Sequence, residues 1–208
     1  MSKTDSLIDR LATDGAAPRP GSIARFVAPM AGAATICAAI VILAFDSPFA
    51  SVNTDGFSPI FVKWGFSIAL LLLSGFALWF MGRPGRSTGG TLATLTVPFV
   101  LVAALLVLDL LIGQQSFPGE TWRRCLIAMA LMSPIAFAGA IIATRSLAPV
   151  RPSRAGFAAG LFGGAVAMTA YSPYCPERGM VYMAVFYCLP ILAMAAIGWL
   201  LGPRLLRW

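Results

Sequence analysis

From Phe26 onward, long apolar stretches alternate with short polar breaks. Six stretches pass the length test for crossing lipid, about 20 mostly apolar residues, because a helix rises about 1.5 Å per residue through about 30 Å of hydrocarbon. They run from Phe26 to Phe45, Ile60 to Met81, Thr91 to Ile112, Arg124 to Thr144, Gly156 to Tyr171 and Val181 to Gly202. The breaks are built from turn and polar residues: Asp46-Ser47-Pro48, Gly82-Arg83-Pro84-Gly85-Arg86, Gly113-Gln114-Gln115, Pro149-Val150-Arg151-Pro152 and Ser172-Pro173-Tyr174-Cys175-Pro176-Glu177. A transmembrane β-barrel would instead show alternating segments of about ten residues. The pattern therefore predicts an all-α, polytopic membrane protein with six transmembrane helices. It divides into a cytoplasmic N-terminal segment 1–25, a transmembrane domain 26–202 and a cytoplasmic tail 203–208. The first span is expected to be retained. Its apolar run exceeds the roughly 7–15 residues of a signal peptide, and Ser47-Pro48-Phe49-Ala50 is a poor cleavage site.

Composition agrees with the pattern. Of the 208 residues 59% are apolar and 11% charged, against roughly 45–50% and 25% in soluble domains. An ordinary soluble domain and a disordered chain are both excluded. The net charge of +7 is unevenly placed. Eleven basic residues (Lys3, Arg10, Arg19, Arg25, Arg83, Arg86, Arg145, Arg151, Arg154, Arg204, Arg207) fall on one face of the six-span topology and four (Lys63, Arg123, Arg124, Arg178) on the other. Basic loops stay inside, so both termini are expected in the cytoplasm. The charge is read as topology and contact with anionic membrane lipid, and no direct nucleic-acid binding is expected.

The chain has four cysteines and no histidine. Cys37 and Cys188 fall inside spans, where a thiol is a small packed hydrophobe. Cys125, in Trp122-Arg123-Arg124-Cys125, and Cys175, in Pro173-Tyr174-Cys175-Pro176-Glu177, fall at the same outer edge. The flanking arginines favour the thiolate of Cys125, and Pro176 holds Cys175 extended. The pair reads as a stress-sensing site, with a structural disulfide as the alternative that an oxidising face permits. No permanent metal is expected, although two thiolates could hold a soft metal such as cadmium transiently.

Signals of an enzyme are missing. Without histidine the commonest general base and the Ser-His and Cys-His pairings are gone. No glycine-rich phosphate loop or Cys-x-x-Cys pair appears, and no cofactor or small-molecule substrate is expected. Asp109, one turn from the outer end of its span, is expected to form a structural ion pair with Arg123 or Arg124. The spacing of Gly156, Gly160 and Gly164 permits close helix packing. The competing reading is a small six-span transporter or channel using Asp109 and this glycine-rich fifth helix. An inverted repeat would mark it, and the two halves show no similarity of that kind.

The N-terminal segment has a pattern of its own. Thr4 can cap a short helix that carries Asp5 in its first turn, Leu7, Ile8 and Leu11 on one face, and Asp9 and Arg10 on the other. Such a helix is marginal alone in water. Its three acids and two bases between Lys3 and Asp14 suit an anionic membrane poorly, so a protein partner is expected.

Together these features carry a resemblance over the whole chain. The opening Thr4-Asp5-x-Leu7-Ile8-x-x-Leu11-Ala12-x-Asp14, six spans, Trp-Arg-Arg-Cys heading the fourth, Cys-Pro-Glu in the last outer loop and the Leu205 to Trp208 ending resemble the NrsF-like family of bacterial inner-membrane anti-sigma factors. The resemblance implies sequestration of an extracytoplasmic-function sigma factor through Asp5, Leu7, Ile8 and Leu11, with release on stress sensed at Cys125 and Cys175. Tyr174 stands where the family usually has histidine before Cys-Pro-Glu, which weighs toward thiol chemistry over metal capture. Gly15-Ala16-Ala17-Pro18 replaces the family's usual continuation of the opening.

Overall fold

A computed structural model of the chain describes residues 3–13, 22–45, 58–82, 89–112, 119, 121–147, 149–177 and 179–207. The expected breaks at Asp46-Ser47-Pro48 and Gly113-Gln114-Gln115, the arginines Arg83, Arg86 and Arg178, and the side chain of Leu11 lie outside the described residues. A short helix α1 (Lys3–Thr13) is followed by α2 (Ser22–Ala44), α3 (Ser58–Met81), α4 (Gly89–Ile112), α5 (Trp122–Arg145), α6 (Pro152–Tyr171) and α7 (Met180–Leu205). Among the described residues, helices α2 to α7 are the six long and apolar enough to cross a membrane. Their ends extend past the expected spans by up to about a turn. Helix α6 starts four residues early because Pro152 sits in its first turn, where a missing N–H costs nothing.

Helix α6 is the central element. In its spanning stretch 83% of the residues are buried, whereas in α4 only 17% are, although α4 is the most apolar of the six. This inversion follows from the solvent. Lipid tails attract an apolar face as well as another helix does, so helices associate where small residues let backbones approach. A Cβ built on Gly156 would lie 2.1 Å from the Gly198 carbonyl oxygen, and one on Gly160 would lie 2.3 Å from that of Met194. One on Gly164 would lie 2.8 Å from Ile191, and Gly202 in turn is pressed on the Pro152 carbonyl. Thus one face of α6 meets α7 backbone to backbone over two turns, while Gly163 turns to α5 at Ser133 and Phe137.

The seam gives a direct test. Gly156→Ala should destabilise the protein by about 3 kcal/mol, the upper end of the usual overpacking cost, because the added methyl meets backbone that cannot rotate away. Gly32→Ala, where a Cβ meets nothing within 4 Å, should be neutral or slightly stabilising. Thermal unfolding of both variants in detergent checks this; equal midpoints would mean the seam is looser than described.

Candidate functional site

The site lies at the end of the bundle where α5 begins, α6 ends and α7 begins. After α6, Ser172–Tyr174 form one 3-10 turn, and Cys175 is extended at φ −94° and ψ 113°. That conformation is the one a residue before proline prefers. Cys125 stands in the first turn of α5, with its amide bonded to the Thr121 carbonyl at 3.1 Å. The two thiols are unbonded to each other and lie within electrostatic range. Both are buried, Cys125 fully and Cys175 to 2% exposure.

This differs from the expected water-facing pair. The sulfurs lie beneath the surface, among Tyr171, Tyr182 and Tyr187. Either thiol is within reach of the Tyr187 hydroxyl, which completes no hydrogen bond at the geometry observed. Cys125 donates its S–H to the Phe186 carbonyl at 3.6 Å. The remaining cysteines are buried apart from this cluster in the roles expected of packed thiols. Cys37 donates to the Met132 carbonyl at 3.5 Å, and Cys188 ends a π-helical turn, Ala184–Cys188, inside α7.

The arginines do not approach as the sequence suggested. The Arg123 guanidinium lies 5.2 Å over its neighbour Trp122, and Arg124 borders a cleft of about 220 Å³ between α2 and α5. The cation that reaches the cysteine loop is Lys63 of α3. It is buried at 5% exposure and donates to the carbonyls of Cys175, at 3.1 Å, and of Glu177. Sequence reasoning counted Lys63 only as an outer charge. The missed signal is a lysine about one turn inside an apolar span, which must find acceptors or leave the lipid.

Glu177 completes the clamp. Its Oε1 accepts from the Thr121 amide at 3.1 Å and from the Thr121 hydroxyl at 3.2 Å, placing a carboxylate at the start of α5, where the helix dipole favours it. The Thr121 hydroxyl also meets the Tyr182 hydroxyl at 3.4 Å. Gly119, at φ +79°, is required twice over, since a Cβ there would lie 2.6 Å from Glu177 Oε2.

Asp109 has a different partner from the expected arginine pair. Its Oδ2 accepts from the amide of Met180 at 3.3 Å, so it caps the first turn of α7. Gly156, Gly160 and Gly164 of the fifth spanning helix pack against α7. Among the described residues no three histidine, cysteine, aspartate or glutamate side chains gather as metal ligands. At the other end of the chain, Leu7 and Ile8 of α1 are 59% and 56% exposed, and Asp5 beside them is exposed.

The family described as "Negative regulator of sigma F" (NrsF) matches residues 11–208. The chain is 35% identical over 212 residues to the "Probable anti-sigma-F factor NrsF" of Azospira oryzae, covering 99% of this chain and all of that one. It is 32% identical over 213 residues to the "Anti-sigma-F factor NrsF" of Caulobacter vibrioides, with the same coverage. No solved structure matches. An all-helical chain with six spanning helices, similar from end to end to both proteins, belongs to the NrsF family of negative regulators of sigma F.

Proposed function

We propose that the protein is a membrane-bound anti-sigma factor that holds an extracytoplasmic-function sigma factor at the bacterial inner membrane and releases it on stress. The carrying observation is full-length similarity to two anti-sigma-F factors, which are regulators and not enzymes. Both termini face the cytoplasm, in keeping with the eleven-to-four distribution of basic residues. Helix α1 supplies the binding surface. Its length leaves it marginal alone, and Leu7 and Ile8 stay exposed, which favours use of that face on a partner.

Sensing is assigned to Cys125 and Cys175, the thiols that three helix ends and one loop gather at the far side of the membrane. Oxidant or a soft metal joins the two sulfurs and shifts the bundle to a state with lower sigma affinity. A tenfold change in affinity requires only about 1.4 kcal/mol of difference between states. The test is to capture the tagged, full-length protein from its native membrane with mild detergent. A sigma factor is expected in the eluate of unstressed cells, reduced in that of peroxide-treated cells. An eluate without a sigma factor in either condition removes the proposal.

A further inference from the structure

Helices α2 and α5 leave between them the cleft of about 220 Å³, at the end of the bundle that carries the cysteine pair. Val41, Ala44 and Phe45 line it from α2 and Ile127 and Leu131 from α5, and every lining residue except Arg124 is apolar. Arg124 is the third residue of α5, so the charge stands at one end and the apolar wall runs inward from it. From Arg124 to Met132, the last residue of that wall, α5 rises about 12 Å, against about 15 Å for one leaflet of a hydrocarbon core about 30 Å thick. The cleft therefore has nearly the depth of a single leaflet. Ile127 and Leu131 are 60% and 62% exposed, which puts its lip on the outer, lipid-facing surface of the bundle.

A larger cleft of about 430 Å³ between α2, α3 and α6 makes the contrast, because no charged side chain lines it. Lipid tails can fill that one without regard to headgroup. At the α2–α5 cleft the charge has a use. The two carboxylates described at this end, Glu177 and Asp109, accept from the Thr121 and Met180 amides, and Arg124 is exposed. A guanidinium matches a phosphate in both shape and charge, and basic edges on clefts between spanning helices hold lipid headgroups. We propose that the α2–α5 cleft is a binding site for one glycerophospholipid, with an acyl chain along the apolar wall and the phosphate on Arg124. Binding here requires no sigma factor. Phe45, on the wall of the cleft, meets Tyr171 edge-on at 5.4 Å, so the seated chain lies one ring away from the tyrosines around Cys125 and Cys175.

The test titrates the full-length protein in detergent with dioleoylphosphatidylglycerol and counts bound lipid by native mass spectrometry. Dioleoylglycerol, with the same tails and no phosphate, and glycerophosphate, with the phosphate and no tails, are the comparison arms. Wild type should hold one phosphatidylglycerol about tenfold more tightly than dioleoylglycerol, and excess glycerophosphate should not displace it. Arg124→Gln should lose that preference. Arg123→Gln should keep it, because the Arg123 guanidinium lies over Trp122. Ala44→Phe fills the cleft from an exposed position and should weaken both lipids by about tenfold or more. Arg124 and Ala44 are both exposed, so each variant should unfold at the wild-type midpoint and its loss of binding is read on folded protein. Equal losses in Arg123→Gln and Arg124→Gln mark diffuse attraction to a basic edge and overturn the site, as does an Arg124→Gln protein with the preference intact. Unchanged binding by Ala44→Phe places the tail elsewhere, and displacement by glycerophosphate marks an anion site without a tail; either result also overturns it.

Discussion

Cells carrying Cys125→Ser or Cys175→Ser should lose the transcriptional response to peroxide and cadmium, each to the same extent as the double variant. The two sulfurs form one unit, and members of a unit are not additive. Both side chains are buried in the same cluster of tyrosines, so neither can be replaced in the reaction by a cysteine elsewhere. Cys37→Ala and Cys188→Ala should leave the response near wild type, since these thiols are packed away from the pair. The measurement is sigma-dependent transcription with and without the stressor, alongside thiol trapping. A normal response in both serine variants would end the sensing role while leaving sigma-factor binding in place.

The second large effect is expected at the opposite end of the chain. Replacing Leu7 and Leu11 together with aspartate should lower sigma-factor capture by about a hundredfold or more, since a central apolar anchor is worth about 2 kcal/mol or more at an interface. Membrane insertion should be unchanged, because α1 precedes all six spanning helices. The readout is capture from membranes containing equal amounts of variant and wild type. Undiminished capture by the double variant would move the binding surface to the arginine-bearing loops.

The six spans were legible because lipid imposes a length and a polarity that no packing detail overrides. The glycine seam was half legible: the spacing of Gly156, Gly160 and Gly164 showed a face made for contact, but not that Gly198 and Gly202 lay across it. The site was less so. Cys125 and Cys175 were paired by topology, yet their burial beneath the surface depends on Lys63 and Glu177, which tie the loop to α3 and to the start of α5. A lysine and a glutamate 114 residues apart, whose side chains each bond backbone of another element, leave no mark in periodicity. For Asp109 the sequence offered two arginines close along the chain, and the fold supplied a helix amide from the next membrane-spanning hairpin.

The interlocked backbones of α6 and α7 bear on how far a displacement can travel. Side-chain interfaces absorb motion by changing rotamers. A contact between glycine carbonyls and glycine Cα atoms has no rotamer to change, so the two helices are held together along this seam. A shift of α7 between Ile191 and Gly202 is carried along the seam to the end where Gly202 rests on Pro152 and the Arg145 Nε holds the Leu205 carbonyl at 2.7 Å. Stiffness here is what gives a small rearrangement at one membrane face leverage at the other.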